Sequence, residues 1–255
     1  GGLPKITTNK PPVIVVPTTA GSGSEVGRAA LLTMNNGKKM ALISPELIPA
    51  AVISDPNLTL DMPPRLTAAT GMDAISHCIE TYCSPRFNPV AEAIALDGLA
   101  RGWRNIHTAT MNGSDIVARA EMLMCALQGG LSFQKGLGLV HSLSHPLGSL
   151  GTKRLHHGTL NAIFLPHVIS FNMDHCPQKM DAMASAMGLT DRGTLSNAFS
   201  DLVRELGLPL RLSELDLSRQ DVELLVPEAF RDHCTATNPR PATEEDCRAL
   251  FRAAL

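Results

Sequence analysis

No run of about eighteen apolar residues occurs in the 255-residue chain, which excludes a hydrophobic membrane-spanning helix. Aromatic residues are scarce, at one Trp, one Tyr and seven Phe, too few for the stacking platform that single-stranded nucleic acid requires. Neither sign of charge dominates: 22 Lys and Arg stand against 24 Asp and Glu, for a net charge of −2. That balance excludes strong electrostatic attraction to nucleic acid or to an anionic membrane. The six cysteines, at 78, 83, 125, 176, 234 and 247, include no Cys-x-x-Cys pair, and a chain of this length needs no disulfide framework. Reduced thiols in the cytoplasm are the expectation. The opening residues Gly1 to Ile6 contain no charged-then-apolar leader, which points the same way. Neither a Walker A loop nor a Gly-x-Gly-x-x-Gly turn is present.

What is present falls into two textures. Over residues 1–62 the chain is punctuated by Pro, Gly and Thr between short β-branched runs, the pattern of strands and turns. Pro12-Val13-Ile14-Val15-Val16-Pro17 reads as a buried strand. Residues 29–34 and 39–43 flank Asn35-Asn36-Gly37, which reads as a hairpin, and 51–54 as a further strand. After Met62-Pro63-Pro64, helix-length segments take over, at about 65–82, 89–107, 114–133, 138–149, 158–172, 176–187, 193–206, 219–230 and 243–254. Thr243 followed by Asp246 predicts a capping box at the start of the last. The fold expected is mainly α with a small α/β portion: 1–62 as an α/β region and 63–255 as a helical domain.

Asp73 and His77 are four residues apart, which on a helix places both on one face about 5–6 Å apart at Cβ; Glu80 continues that spacing. His141 and His145 form a second pair one turn apart on an apolar segment, and His156 and His157 follow. Four of the nine histidines thus fall within 17 residues on a background of Leu, Gly and Ser. Burying an imidazole without a partner is costly, so a shared partner is expected. Asp with several His and no thiolate suits Fe²⁺, Zn²⁺, Co²⁺ or Ni²⁺ better than a structural zinc, which usually recruits Cys. The third feature is Pro17-Thr18-Thr19-Ala20-Gly21-Ser22-Gly23-Ser24-Glu25, whose small residues let backbone N–H groups and hydroxyls approach a phosphate or a ribose.

Together these stretches resemble the iron-containing (group III) alcohol dehydrogenase family. The likeness rests on residues 17–25, on Gly71-Met72-Asp73-Ala74-Ile75-Ser76-His77, on residues 136–148 and on His157-Gly158, and it extends to Asn238-Pro239-Arg240-Pro241. The resemblance implies a dehydroquinate synthase-like fold in which 1–62 is part of the cofactor-binding α/β domain and 63–255 the all-helical metal-binding domain. It implies metal ligands Asp73, His77, His141 and His157, with His157 chosen over His156 because it immediately precedes Gly158. It places His145 beside the reacting carbon as a catalytic residue outside the ligand set. It assigns Thr18, Thr19, Gly21, Ser22 and Lys39 to the nicotinamide cofactor. The implied activity is hydride transfer between an alcohol and NAD or NADP. The ion is Fe²⁺, with Zn²⁺ the alternative, and the partner is a small alcohol or aldehyde. Family members often dimerise, so a homodimer is the assembly to expect.

Relatives in this family begin with a strand–helix segment bearing a Gly-Gly-Gly-Ser turn for the cofactor pyrophosphate. That turn is absent, so the sequence reads as an N-terminally shortened form. Two other readings use the same residues: a metal-dependent lyase like dehydroquinate synthase, and a metal-binding helical module without dehydrogenase activity. One Asp with three His, rather than a Glu with two, favours the dehydrogenase branch.

Overall fold

The computed structural model describes residues 6–33, 39–150, 153 and 155–255, without the side chains of residues 31, 33 and 39–41. Its strands all precede Pro64 and its α-helices all follow Pro63. β1 (Ile14–Val15) pairs in parallel with β4 (Ala51–Val52), and β2 (Ala29–Thr33) pairs antiparallel with β3 (Lys39–Ile43), Ala29 opposite Ile43. The antiparallel pairing of β2 with β3 agrees with the hairpin read from the sequence; its turn, residues 35–37, lies outside the described residues. The run at 12–17 departs from it. Only two of its residues are strand, and Val13, Ile14 and Val16 are 47%, 61% and 42% exposed. Among the described residues β1 has a single strand neighbour, and a two-stranded ribbon cannot bury both of its faces. The strand expected at 51–54 likewise closes after Val52.

The helical part follows the sequence closely: α1 (Pro64–Cys83), α2 (Pro89–Met111), α3 (Ile116–Ser132), α4 (Leu139–Leu147), α5 (His157–Asn172), α6 (Pro177–Ala186), α7 (Leu195–Glu205), α8 (Arg219–Arg231) and α9 (Glu244–Ala253). Start signals explain the boundaries. Proline occupies the first turn of α1, α2 and α6, where its missing N–H costs nothing. Asn88 and Asp115 cap α2 and α3 through side-chain oxygens. The expected box at Thr243 and Asp246 is formed, and Ser218 with Asp221 makes another at α8.

α1 is the central helix, buried along most of its length and packed by α2, α3 and α5. Its small residues allow this. Ala68, Ala69, Gly71 and Ala74 are buried, so neighbouring backbones come close on several sides. One α1 face carries Asp73, His77 and Glu80 into the interior, 7%, 6% and 4% exposed. Three ionisable groups on a core helix need partners there.

Candidate metal centre

Those partners arrive from two helices distant in sequence. The start of α4 meets α1 at Glu80, whose Oε1 accepts from the Val140 N–H at 2.6 Å. Asn238 Oδ1 accepts from the Leu139 N–H at 3.3 Å, so side chains take up two of the free donors of that first turn. Glu80 Oε2 accepts from His141 Nδ1 at 2.5 Å. With Nδ1 committed, Nε2 of His141 is the nitrogen turned to Asp73, 3.6 Å from Oδ1.

α5 approaches α1 at Gly158, where a Cβ would lie 1.9 Å from the Ala69 carbonyl oxygen. Only glycine permits that approach, and it sets His157 Nε2 3.6 Å from Asp73 Oδ1. His77 Nε2, one turn along α1, lies 3.7 Å from the same oxygen. Three imidazole nitrogens from three helices therefore face one carboxylate oxygen. Asp73, His141 and His157 offer donor atoms all within 4.8 Å of one another, and His77 stacks on His141 at 4.6 Å between ring centroids. His156, by contrast, faces an open cavity of about 370 Å³ with Arg65, Leu66 and Leu215.

The electrostatics match a site built for a cation. Burial would raise the Asp73 carboxyl, but His77, His141 and His157 outweigh it and hold the group ionised well below its usual range. Burial pushes His77 down to about 4 and His157 to about 3. His141 goes the other way: burial opposes its charge, yet Glu80 and Asp73 raise it to about 9. Of the buried polar atoms without a partner among the described residues, two belong to this cluster, His77 Nδ1 and Asn161 Oδ1. Asn161 Nδ2 donates to Asp73 Oδ1 at 2.7 Å and lies 3.3 and 3.2 Å from Nε2 of His141 and His157. One carboxylate and three imidazoles around a common point, with a carboxylate behind one imidazole, fit a divalent borderline metal.

The remaining candidates surround this cluster. His145 stacks on His157 at 5.5 Å and its Nδ1 donates to Asp232 Oδ2 at 2.9 Å. Gly21 is buried against α1, where an added Cβ would meet Thr70 Cβ at 2.8 Å, and its backbone lies beside the His77 ring. Thr18 and Ser22 are exposed and Thr19 partly buried, with Ser22 Oγ 3.0 Å from Ser24 Oγ. Lys39 opens β3, and its side chain lies outside what the structure describes. Sequence reasoning missed Asn161, Asp232 and Asn238, and it noted Glu80 only for its spacing. Asn161 had a signal: it is four residues past His157, on the same helical face, in a helix with apolar residues on every side.

Comparison with known proteins identifies the family. Residues 67–255 match the C-terminal profile of the Fe-containing alcohol dehydrogenase family, and residues 2–56 match the iron-containing alcohol dehydrogenase profile. A 4-hydroxybutyrate dehydrogenase of Cupriavidus necator is 45% identical over all of this chain and 69% of its own length. A 1,3-propanediol dehydrogenase of Klebsiella pneumoniae is 36% identical over all of this chain and 68% of its own. Among solved structures, a 1,3-propanediol oxidoreductase superposes with a TM-score of 0.92 at 35% identity, covering 96% of this chain and 66% of that one. A sulfoacetaldehyde reductase from Bifidobacterium kashiwanohense in complex with NAD+ gives 0.91 at 28% identity, covering 97% and 66%. The chain thus spans about two thirds of the length of these relatives. A short α/β portion leading into a helical domain is the architecture they share with it, and the chain belongs to the iron-containing alcohol dehydrogenase family.

Proposed function

We propose that the protein is a metal-dependent alcohol dehydrogenase that moves hydride between a small primary alcohol and NAD or NADP. The observation that carries this reading is the approach of His77, His141 and His157 to the single oxygen Asp73 Oδ1, at 3.6 to 3.7 Å, from three separate helices. Asp73, His77, His141 and His157 would hold Fe²⁺, with Zn²⁺ the alternative. When bound, such an ion supplies Lewis-acid polarisation of an alcohol oxygen. The chain's own residues do the rest. Glu80 holds a proton on Nδ1 of His141, so that Nε2 is the nitrogen an ion would take by displacing its proton. Asn161 anchors the Asp73 oxygen. His145, beside His157 and 35% exposed at its side chain, is the group placed to exchange a proton with a bound alcohol.

Thr18, Thr19, Gly21, Ser22 and Lys39 serve the nicotinamide side. The close packing of Gly21 on α1 ties that loop to the helix carrying Asp73 and His77. The names of the relatives, dehydrogenases of 4-hydroxybutyrate, 1,3-propanediol and methanol, support a short primary alcohol as substrate. The domain division proposed is an α/β cofactor portion over 1–62 and a metal-binding portion over 63–255, and a homodimer is the assembly proposed.

The test combines metal analysis with cofactor binding. Protein prepared without chelators should carry one iron or zinc per chain. NADH added to it should bind saturably by fluorescence, and short primary alcohols should reduce the cofactor. Full metal content with no cofactor binding at millimolar NADH would leave a metal-binding module and overturn the dehydrogenase reading.

A further inference from the structure

Beside the metal-ligand candidates, His145 sits in a polar cluster whose other members have no role in the function above. It is centred on Asp232, which ends α8. Its side chain is 14% exposed, and its Oδ2 accepts from His145 Nδ1 at 2.9 Å. Oδ1 accepts from the Cys234 N–H at 2.9 Å, fixing the carboxylate in its turn, and His233 Nδ1 lies 3.5 Å from the same oxygen. Among the described residues no Lys or Arg pairs with it; its ion-pair partners are these two imidazoles. On its far side the His145 ring lies parallel to His157, at an interplanar angle of 12°.

We propose that Asp232 is a positioning residue for His145: by accepting the Nδ1 proton it fixes the tautomer in which Nε2 is unprotonated, and holds that ring over His157. A neutral imidazole carries one proton on one of two nitrogens, and the hydrogen bond made by one decides the state of the other. Without Asp232, both the tautomer and the ring angle are free. The catalytic consequence rests on the dehydrogenase reading: as hydride leaves the alcohol carbon for the nicotinamide, the hydroxyl proton passes to Nε2. The tautomer itself does not depend on that reading.

Nitrogen NMR of the imidazole rings in the zinc-loaded protein, which is diamagnetic, tests the assignment directly. The expected result is His145 protonated at Nδ1 and bare at Nε2, with a loss of that preference in Asp232→Ala while zinc content stays full. In Asp232→Glu the preference should return in part. With alcohol as substrate, Asp232→Ala should lower kcat by about 10²- to 10⁴-fold, the span typical of general acid–base groups, and leave KM nearly unchanged. Wild-type His145 protonated at Nε2, or an unchanged tautomer in Asp232→Ala, overturns the proposal. A variant that loses zinc with the tautomer intact shows a merely structural role and also overturns it. Should Asp232→Ala fail to fold, Asp232→Asn replaces it, because its amide oxygen can still accept from the Cys234 N–H. If the protein turns over no alcohol, the dehydrogenase reading fails while the nitrogen shifts still decide the role of Asp232.

Discussion

Asp73 contributes one oxygen that three imidazoles and one amide approach together, so its loss removes the shared partner of all four. Asp73→Ala and His141→Ala should each strip the metal, measured as stoichiometry after gel filtration, while Glu80→Gln should retain it with affinity lowered about 10- to 100-fold. A metal content equal to wild type in both alanine variants would remove the ligand assignment. The same residues set an acid limit on the metal-free fold. In the unfolded chain, imidazoles take up protons near 6.5. In the fold, burial keeps His77 neutral to about 4 and His157 to about 3. Over that window the unfolded state binds more protons, and stability falls as pH falls. His141 adds no slope there, because it is charged in both states; raised to about 9, it contributes stability below 6.5 that fades as pH rises through 9. Melting of chelator-treated protein should therefore shift to lower temperature between pH 6.5 and 4, and a flat profile would contradict the buried neutral imidazoles.

At the scale of elements, helix separation decides whether the ligand candidates meet. Gly158→Ala would drive a methyl into the Ala69 carbonyl, force α5 off α1 and carry His157 with it. A stability loss of more than about 2 kcal/mol, in the range of overpacked cores, should accompany weaker metal binding. Denaturant titration and metal titration on one sample check both. Gly23 works similarly between the loop and α3. It sits at φ +60, and a Cβ there would fall 2.5 Å from the Ala126 carbonyl oxygen and 2.6 Å from Gly130 Cα. The loop's glycines thus have a packing role as well as the cofactor role that their sequence suggests. The helices were legible from segments of helical length, with Pro63-Pro64 opening the first and Thr243 with Asp246 the last. The strands were less so: an apolar run bounded by prolines looks the same whether it lies in a buried sheet or in a ribbon with one neighbour.

Across the whole molecule, a buried arginine joins the two textures of the sequence. Arg119 of α3, 2% exposed, donates to the carbonyls of Leu60, Met62 and Gly113 and to Thr67 Oγ1 at 2.7 Å. No carboxylate pairs with it among the described residues. Arg119→Ala should cost about 3 kcal/mol, since several carbonyls lose a charged donor at once, and denaturant unfolding measures it. Of the six thiols, Cys176 is the partly exposed one. The neighbouring Cys83 thiol lowers its pKa against the effect of burial, with help from Lys179. One equivalent of alkylating reagent on folded protein should label Cys176 first, while Cys247, pushed up to about 11 by burial, reacts only after unfolding; peptide mapping distinguishes them.

By itself the sequence determined the helical periodicity and the capping box at Thr243, because a repeat of 3.6 residues and a cap are local properties, and its resemblance to the family singled out the candidate donors. Asp73 and His77 could be placed on one face from their spacing alone. Only the tertiary structure decided which oxygen the imidazoles share, that Glu80 stands behind His141, that Asn161 holds Asp73 and that Asp232 holds His145. Those partners lie 61, 88 and 87 residues apart. Their meeting is fixed by how closely helix backbones approach, at Gly158 above all, and such a distance depends on packing in three dimensions rather than on any local pattern.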